Sequence, residues 1–292
     1  MQHRGIYSSL IGAPACADTR HASTSCCIRI DHNARVGALS DLGEVERAAA
    51  YTKDAIDMRL WKDARQRPFD YDNKLTARPW HDPVEKHPFV PVASVLEGKH
   101  TAILQEYRHI KASHPELFQD QREGKGEGGQ WQQLLVYRHC DLMPETCKAC
   151  KDALATQAGI STSNTICKFS VMQPGTLAMP HHGPTNTRLR CHLGVAIPEP
   201  FGLLPNIDAA IVAGKSTGTI GLSCGGTSRG WKEGKVWCFD DSFEHSVWHN
   251  GTKERAVLIV DLTHPELWDP PNNALKEGKK RKRRKRKSKS EL

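Results

Sequence analysis

Nowhere in the 292 residues do eighteen apolar residues follow one another, which excludes a membrane-spanning helix. Nor does any segment repeat at a fixed period. Positive charge is scarce outside the C-terminal end. Eleven of the 41 Lys/Arg and only two of the 33 Asp/Glu fall in residues 276–292, so that stretch alone carries +9 of a net +8 and the rest sums to −1. The folded part therefore has too little basic surface to track phosphates, which argues against nucleic acid as its partner. The tail "GKKRKRRKRKSKS" reads as solvated and disordered, able to serve as a nuclear-import, nucleic-acid or anionic-surface patch. Ten cysteines leave the compartment open. Cys147-x2-Cys150 is half a zinc site or a redox pair, but no second Cys-x2-Cys follows it. Cys140-x6-Cys147 has the spacing of a short closed loop. The start, "MQHRGIYSSLIGAPACAD", makes a poor signal peptide, because Ser8, Ser9 and Gly12 break its apolar stretch. Lys289-Ser290-Glu291-Leu292 resembles a degenerate endoplasmic-reticulum retrieval signal.

What is present is a 38% hydrophobic content, enough for a real core. Residues 1–40 show no periodicity and read as a leader or a disordered segment. Residues 41–74 form a helical lead-in: "EVERAAAYTKDAIDMRLWKDAR" spaces its apolar positions by three and four. After the prolines of "RPWHDPVEKHP", a second amphipathic helix, "KHTAILQEYRHIK", puts Ile103, Leu104, Tyr107 and Ile110 on one face. From Trp131 the character changes to short β-rich segments parted by turns: "WQQLLVYRH", "TICKFSVMQPGT", "RLRCHLGVAIP", "GTIGLSCGG", "KVWCFDDSFEHSVWHN" and "RAVLIVDLTHP". Six such segments predict an antiparallel sandwich or small barrel. The stretch between "AIP" and "TIG", about residues 199–216, reads as an excursion on its rim, and residues 271–292 as the disordered tail.

The chemistry gathers in "PHHGPTNTRLRCHLG", residues 180–194. Gly183 stands where an acid after His181 would complete a non-haem iron site. In the strand that follows, Arg188, Arg190, His192 and Gly194 share one face, and Leu189, Cys191, Leu193 and Val195 the other. An ordinary strand buries the second set, whereas a ligand-holding barrel can turn the first set inward. The strand alone does not choose. Further on, a hairpin turning at Asn250-Gly251 would bring His245 beside Arg255, with His181 across the barrel. Two imidazoles with open positions suit Fe(II), Zn or Cu. Arg255 with Arg188 or Arg190 would grip a dicarboxylate. The plainer reading of each residue is a hydrogen-bonded histidine or a surface charge. Joint occurrence is what speaks for a site.

"KFSVMQPGTLAMPHHGPTNTRLRCHLGVAIP" and "WKEGKVWCFDDSFEHSVWHNGTKERAVLIVDLTHPEL", with "LTARPWHDP" before them, resemble the aspartyl/asparaginyl β-hydroxylase family of 2-oxoglutarate-dependent oxygenases. The resemblance runs from about Leu75 to Leu267 and places an oxygenase domain over residues 75–270. It implies a double-stranded β-helix, a cupin-like jelly roll, preceded and flanked by helices. It implies Fe(II) held by His181 and His245 without a protein carboxylate, with 2-oxoglutarate and O2 as co-substrates. Trp131, Ser170, Arg190, His192 and Arg255 fall at the family's 2-oxoglutarate positions. Arg188 and Met172 are candidate substrate contacts, and Asp240 or Asp241 candidate acceptors behind His245 or a bound water. Cys140 and Cys147 match a spacing the family bridges by a disulfide, which favours a secretory lumen. The implied activity is oxidative decarboxylation of 2-oxoglutarate coupled to hydroxylation of a carbon, in the first place the β-carbon of Asp or Asn in a peptide or protein. A free amino acid, a small molecule, a halogenation or a non-catalytic binding module are the competing readings.

Overall fold

Period-two alternation decides how this chain packs, because four of the six strands of its larger sheet are buried on both faces. The computed structural model describes residues 42–83, 87–121, 128–156, 166–198 and 219–268, with His32, Arg35, Val36, Ala38 and Leu39 ahead of them. Most of the expected leader, the 199–216 excursion and the basic tail lie outside the described residues. Among the described residues, the α-helices with defined bounds are α1 (Val45–Asp57), α2 (Val90–Gly98), α3 (His100–Ser113) and α4 (Pro144–Ala155). Ten strands are β1 (Gln119–Asp120), β2 (Trp131–Leu135), β3 (Cys167–Met172), β4 (Thr176–His181), β5 (Arg188–Ala196), β6 (Thr219–Cys224), β7 (Thr227–Arg229), β8 (Val236–Phe239), β9 (His245–Asn250) and β10 (Arg255–Thr263). They form a six-stranded sheet, β1-β2-β3-β10-β5-β8, and a four-stranded one, β4-β9-β6-β7. All pairs are antiparallel.

From β3 onward the chain changes sheets at every step except β6 to β7. That alternation is the winding of a double-stranded β-helix, the jelly roll the sequence predicts. Between the sheets, Met172, Trp237, Phe239, Val257 and Ile259 of the larger meet Ala178, Ile220, Leu222, Cys224 and Val247 of the smaller. On the far side of the larger sheet, Phe169, Leu189, Leu193, Leu258 and Leu262 pack with Leu96, Ile103, Tyr107, Ile110 and Ala149 of the helices. In β5 the Leu/Cys/Val set therefore faces helices and the Arg/His set faces the barrel interior. No helix among the described residues is long and apolar enough to cross a membrane.

Three disulfides join Cys140 to Cys147, Cys150 to Cys167 and Cys191 to Cys238. Cys147 and Cys150 thus belong to separate bonds, which removes the half-zinc and redox-pair readings. The third bond ties β5 to β8 at residues directly opposite in register. Cys224 is a buried free thiol.

Several expectations need correction. The segment "KVWCFDDSFEHSVWHN" is two strands in different sheets, parted by residues 240–244. The expected hairpin of β9 with β10 does not form: β9 pairs β4 and β6, and β10 pairs β3 and β5. The turn at Asn250-Gly251 carries the chain from one sheet to the other. Strand β4 and helices α2 and α4 are additional to the sequence reading.

Two outcomes test this packing. Phe169→Ala should cost about 3–5 kcal/mol in denaturant unfolding, while the exposed Phe69→Ala should stay within about 0.5 kcal/mol. His81 bonds Arg78 O at 2.9 Å, and burial, then His264 and Arg78, push its pKa from 6.5 down to about 3. The folded imidazole stays neutral where the unfolded one takes a proton, so its stabilisation is full above pH 6.5 and is lost as pH falls towards 3. Below pH 6.5, His81→Asn should flatten the fall of unfolding free energy by up to about 1.4 kcal/mol per pH unit.

Candidate active site

His181 ends β4 and His245 begins β9, and the register sets them opposite each other. Their ring centroids are 4.1 Å apart. Each Nδ1 bonds the carbonyl two residues earlier: His181 to Met179 O at 2.6 Å and His245 to Phe243 O at 2.9 Å. A carbonyl only accepts, so each Nδ1 carries a proton, which leaves Nε2 as the nitrogen that could ligate a metal. Burial, and His181 beside it, hold His245 well below its ordinary pKa. Among the described residues, no three His, Cys, Asp or Glu are grouped to hold a metal ion. The neighbouring His182 accepts from Arg67 Nε at 3.4 Å.

Beside the pair lies a ladder of four charges. Arg190 grips Asp261, its partner across β5 and β10, through Nε and Nη2 at 2.7 and 2.9 Å. Arg188 bonds Asp241 at 2.7 Å and lies 3.3 Å from Asp261; Arg190 reaches Asp241 at 3.3 Å. Both aspartates are fully buried. Gly183 N donates to Asp241 O at 2.6 Å, and a Cβ on Gly183 would fall 2.6–2.8 Å from the Asp241 carboxylate. The room that a side chain at 183 would need is thus filled by Asp241, whose Oδ1 has no hydrogen-bond partner. Asp240 points into different company: its carboxyl accepts from Gln66 and Ser242. Burial raises its pKa to about 8.

Arg255 opens β10 opposite Met172 of β3. It is 2% exposed, and burial pushes its pKa down to about 9. Its Nη1 bonds Ser170 O at 3.4 Å and its Nη2 lies against the Met172 sulfur. No carboxylate of the described residues pairs with it, and its Nε has no partner. A buried cation without an anion is costly. Around it stand Trp131, whose Nε1 donates to Ser170 Oγ at 2.9 Å, and Trp231, whose ring lies 4.6 Å beneath the guanidinium. His192 Nε2 is buried and unpartnered, while its Nδ1 accepts from Trp231 Nε1 at 3.1 Å.

Comparison with known proteins bears directly on this set. The family described as Aspartyl/Asparaginyl beta-hydroxylase matches residues 97–265. The chain belongs to that family. It is 34% identical over 202 residues to the mouse protein named aspartyl/asparaginyl beta-hydroxylase, covering 67% of this chain and 24% of that protein. It is 33% identical over 192 residues to aspartate beta-hydroxylase domain-containing protein 2 of Xenopus tropicalis, covering 62% of this chain and 46% of the other. The chain thus spans about a quarter to a half of the length of these relatives.

The structure brings His181 to His245, and Trp131, Ser170, Met172 and His192 to the neighbourhood of Arg255. Arg188, Arg190 and Asp241 form the adjoining ladder with Asp261, a residue sequence reasoning passed over although it sits at an inward position of a strand that otherwise reads as apolar. Trp231 was also passed over; its signal was Gly194, an inward-facing position left without a side chain. Asp240 stays apart. Asp261→Asn would strip Arg190 of its main partner, and urea unfolding should show a loss of about 3 kcal/mol at unchanged m-value.

Proposed function

We propose that the chain is an Fe(II)- and 2-oxoglutarate-dependent dioxygenase that hydroxylates the β-carbon of Asp or Asn residues in a peptide or protein. The observation that carries this reading is Arg255, a buried guanidinium without a protein carboxylate, set beside an unpartnered His192 Nε2 and a serine hydroxyl. Such a wall suits a carboxylate ligand. His181 and His245 would hold Fe(II) through Nε2, since both rings are aligned in register and locked at Nδ1. Bound iron with 2-oxoglutarate and dioxygen would supply the oxidation, releasing succinate and CO2 while one oxygen atom enters a substrate C–H bond.

The chain's own residues supply binding and orientation. Arg255 and Ser170 would take one carboxylate of 2-oxoglutarate, with Trp131 setting the Ser170 hydroxyl. His192 would donate from the neighbouring wall, and Arg190 adds positive charge there while Asp261 holds its planar group in place. Asp241 brings a carboxylate to the side that Gly183 leaves open, which fits a two-histidine ligand set better than an incomplete three-ligand one. Arg188, tied to Asp241 and 18% exposed in its side chain, is the candidate contact for a substrate carboxylate. Met172 is better read as wall than as substrate contact, being fully buried against Arg255. The three disulfides accord with an oxidising compartment.

Anaerobic titration should show one Fe(II) per chain, and the aerobic protein should turn 2-oxoglutarate into succinate with a +16 Da product on an Asp- or Asn-containing peptide. His181→Ala and His245→Ala should each lose iron and turnover. Arg255→Leu should keep iron and raise the KM for 2-oxoglutarate by about a hundredfold. Iron binding and turnover surviving in both histidine variants would refute the proposal.

A further inference from the structure

Trp231 lies in the connection from β7 to β8, is 6% exposed, and makes two contacts that bear on the Arg255 wall. Its Nε1–H, which can only donate, meets His192 Nδ1 at 3.1 Å. The two ring planes are within 11° of parallel with centroids 6.1 Å apart, and an indole N–H at this distance from Nδ1 needs a lone pair there to accept it. His192 Nδ1 is therefore the unprotonated nitrogen, and the neutral ring carries its hydrogen on Nε2, the buried atom with no partner. The same indole offers its face to the Arg255 guanidinium at 4.6 Å, a contact that holds the cation flat.

The chain holds Trp231 in this place by three devices. Trp237 packs on it at 5.5 Å, and Trp237 Nε1 donates to Gly230 O at 3.2 Å, fixing the residue just before it. Gly194 N donates to Lys235 O at 3.1 Å, and Gly234 N donates to Gly194 O at 2.8 Å. A Cβ at Gly194 would sit 2.5 Å from Lys232 O, so only glycine lets the Trp231 segment close over His192.

We propose that Trp231 is a positioning residue: it fixes His192 as an Nε2–H donor and Arg255 as a flat cation, so that both present themselves to one carboxylate ligand. The ligand's identity as 2-oxoglutarate rests on the function proposed above; the tautomer of His192 does not. Trp131 does the like for Ser170. By donating to its oxygen, Trp131 leaves the hydroxyl hydrogen for an anion.

The test uses the full chain with ¹⁵N-labelled histidine. Long-range ¹H–¹⁵N spectra of the metal-free protein should show His192 as the Nε2–H tautomer. Trp231→Phe, which keeps an aromatic face but loses the N–H, should convert that signal to a mixture with the Nδ1–H form. By calorimetry on the anaerobic Fe(II) form it should weaken 2-oxoglutarate binding roughly tenfold, with a near-unchanged melting temperature. In a His192→Gln background the same change should have no further effect on affinity. An Nδ1–H tautomer in the unmodified protein overturns the inference whether or not the variant folds. So does a Trp231→Phe protein with tautomer and affinity unchanged. If 2-oxoglutarate fails to bind the unmodified protein while the tautomer and its response to Trp231→Phe are as expected, the proposed function falls and the role of Trp231 stands.

Discussion

The antiparallel seating of β10 between β3 and β5 is the constraint on which the rest depends. Residues 256, 258, 260 and 262 of β10 enter the helix-side core, while Val257 and Ile259 enter the barrel and Asp261 meets Arg190. Its partners follow the same parity, so Ser170, Met172, Arg190 and His192 reach the interior with it. A slip of one residue would drive Asp261 and the β5 arginines into the aliphatic layer beneath α2–α4, and Leu258 and Leu262 into the site. Burial on both faces makes the register non-negotiable, and the register assembles the site.

The interior divides into two electrostatic regimes. In the ladder, two arginines meet two aspartates, so the buried charge is compensated within the chain. A few positions along β10 the compensation stops: Arg255 has an aromatic face, a carbonyl and a thioether for company, but no anion. A fold with the means to neutralise two arginines leaves a third without a carboxylate among the described residues, and that contrast is what supports the proposed reading of the Arg255 wall as a ligand site.

How much of this was legible follows the same physics. Alternation in "RLRCHLGVA" separated the two faces correctly, but it could not say which was buried, since both are. The winding into a jelly roll was legible through family likeness; the strand pattern alone gave an antiparallel sandwich or small barrel without its winding. Helix α4 was obscured because "PETCKACKDALA" is built of small and charged residues and owes its place to two disulfides. Strand β4 was obscured by Pro180, tolerable where β4 lies at its sheet's edge. The β9–β10 error came from a turn signal that reports a change of direction, not which sheet receives the next strand. Trp231 was only half legible: Gly194 marks an inward position left open for another group, and nothing in a loop's composition says which side chain fills it.

Three buried or half-buried histidines of this barrel are oriented from Nδ1, and the chemistry of what each Nδ1 meets assigns the opposite nitrogen. His181 and His245 meet carbonyl oxygens; the Nδ1 proton is used there, and Nε2 is the nitrogen left for a cation. His192 meets an indole N–H; its Nδ1 lone pair is used, and Nε2 is left as an N–H able to bind an anion. On the proposed function, one side-chain type would thus serve a cation-binding and an anion-binding role within one barrel. The discrimination would come from the partners alone: backbone carbonyls of Met179 and Phe243 meet the proposed metal-ligand pair, and the glycine at 194 admits a tryptophan at the proposed carboxylate wall.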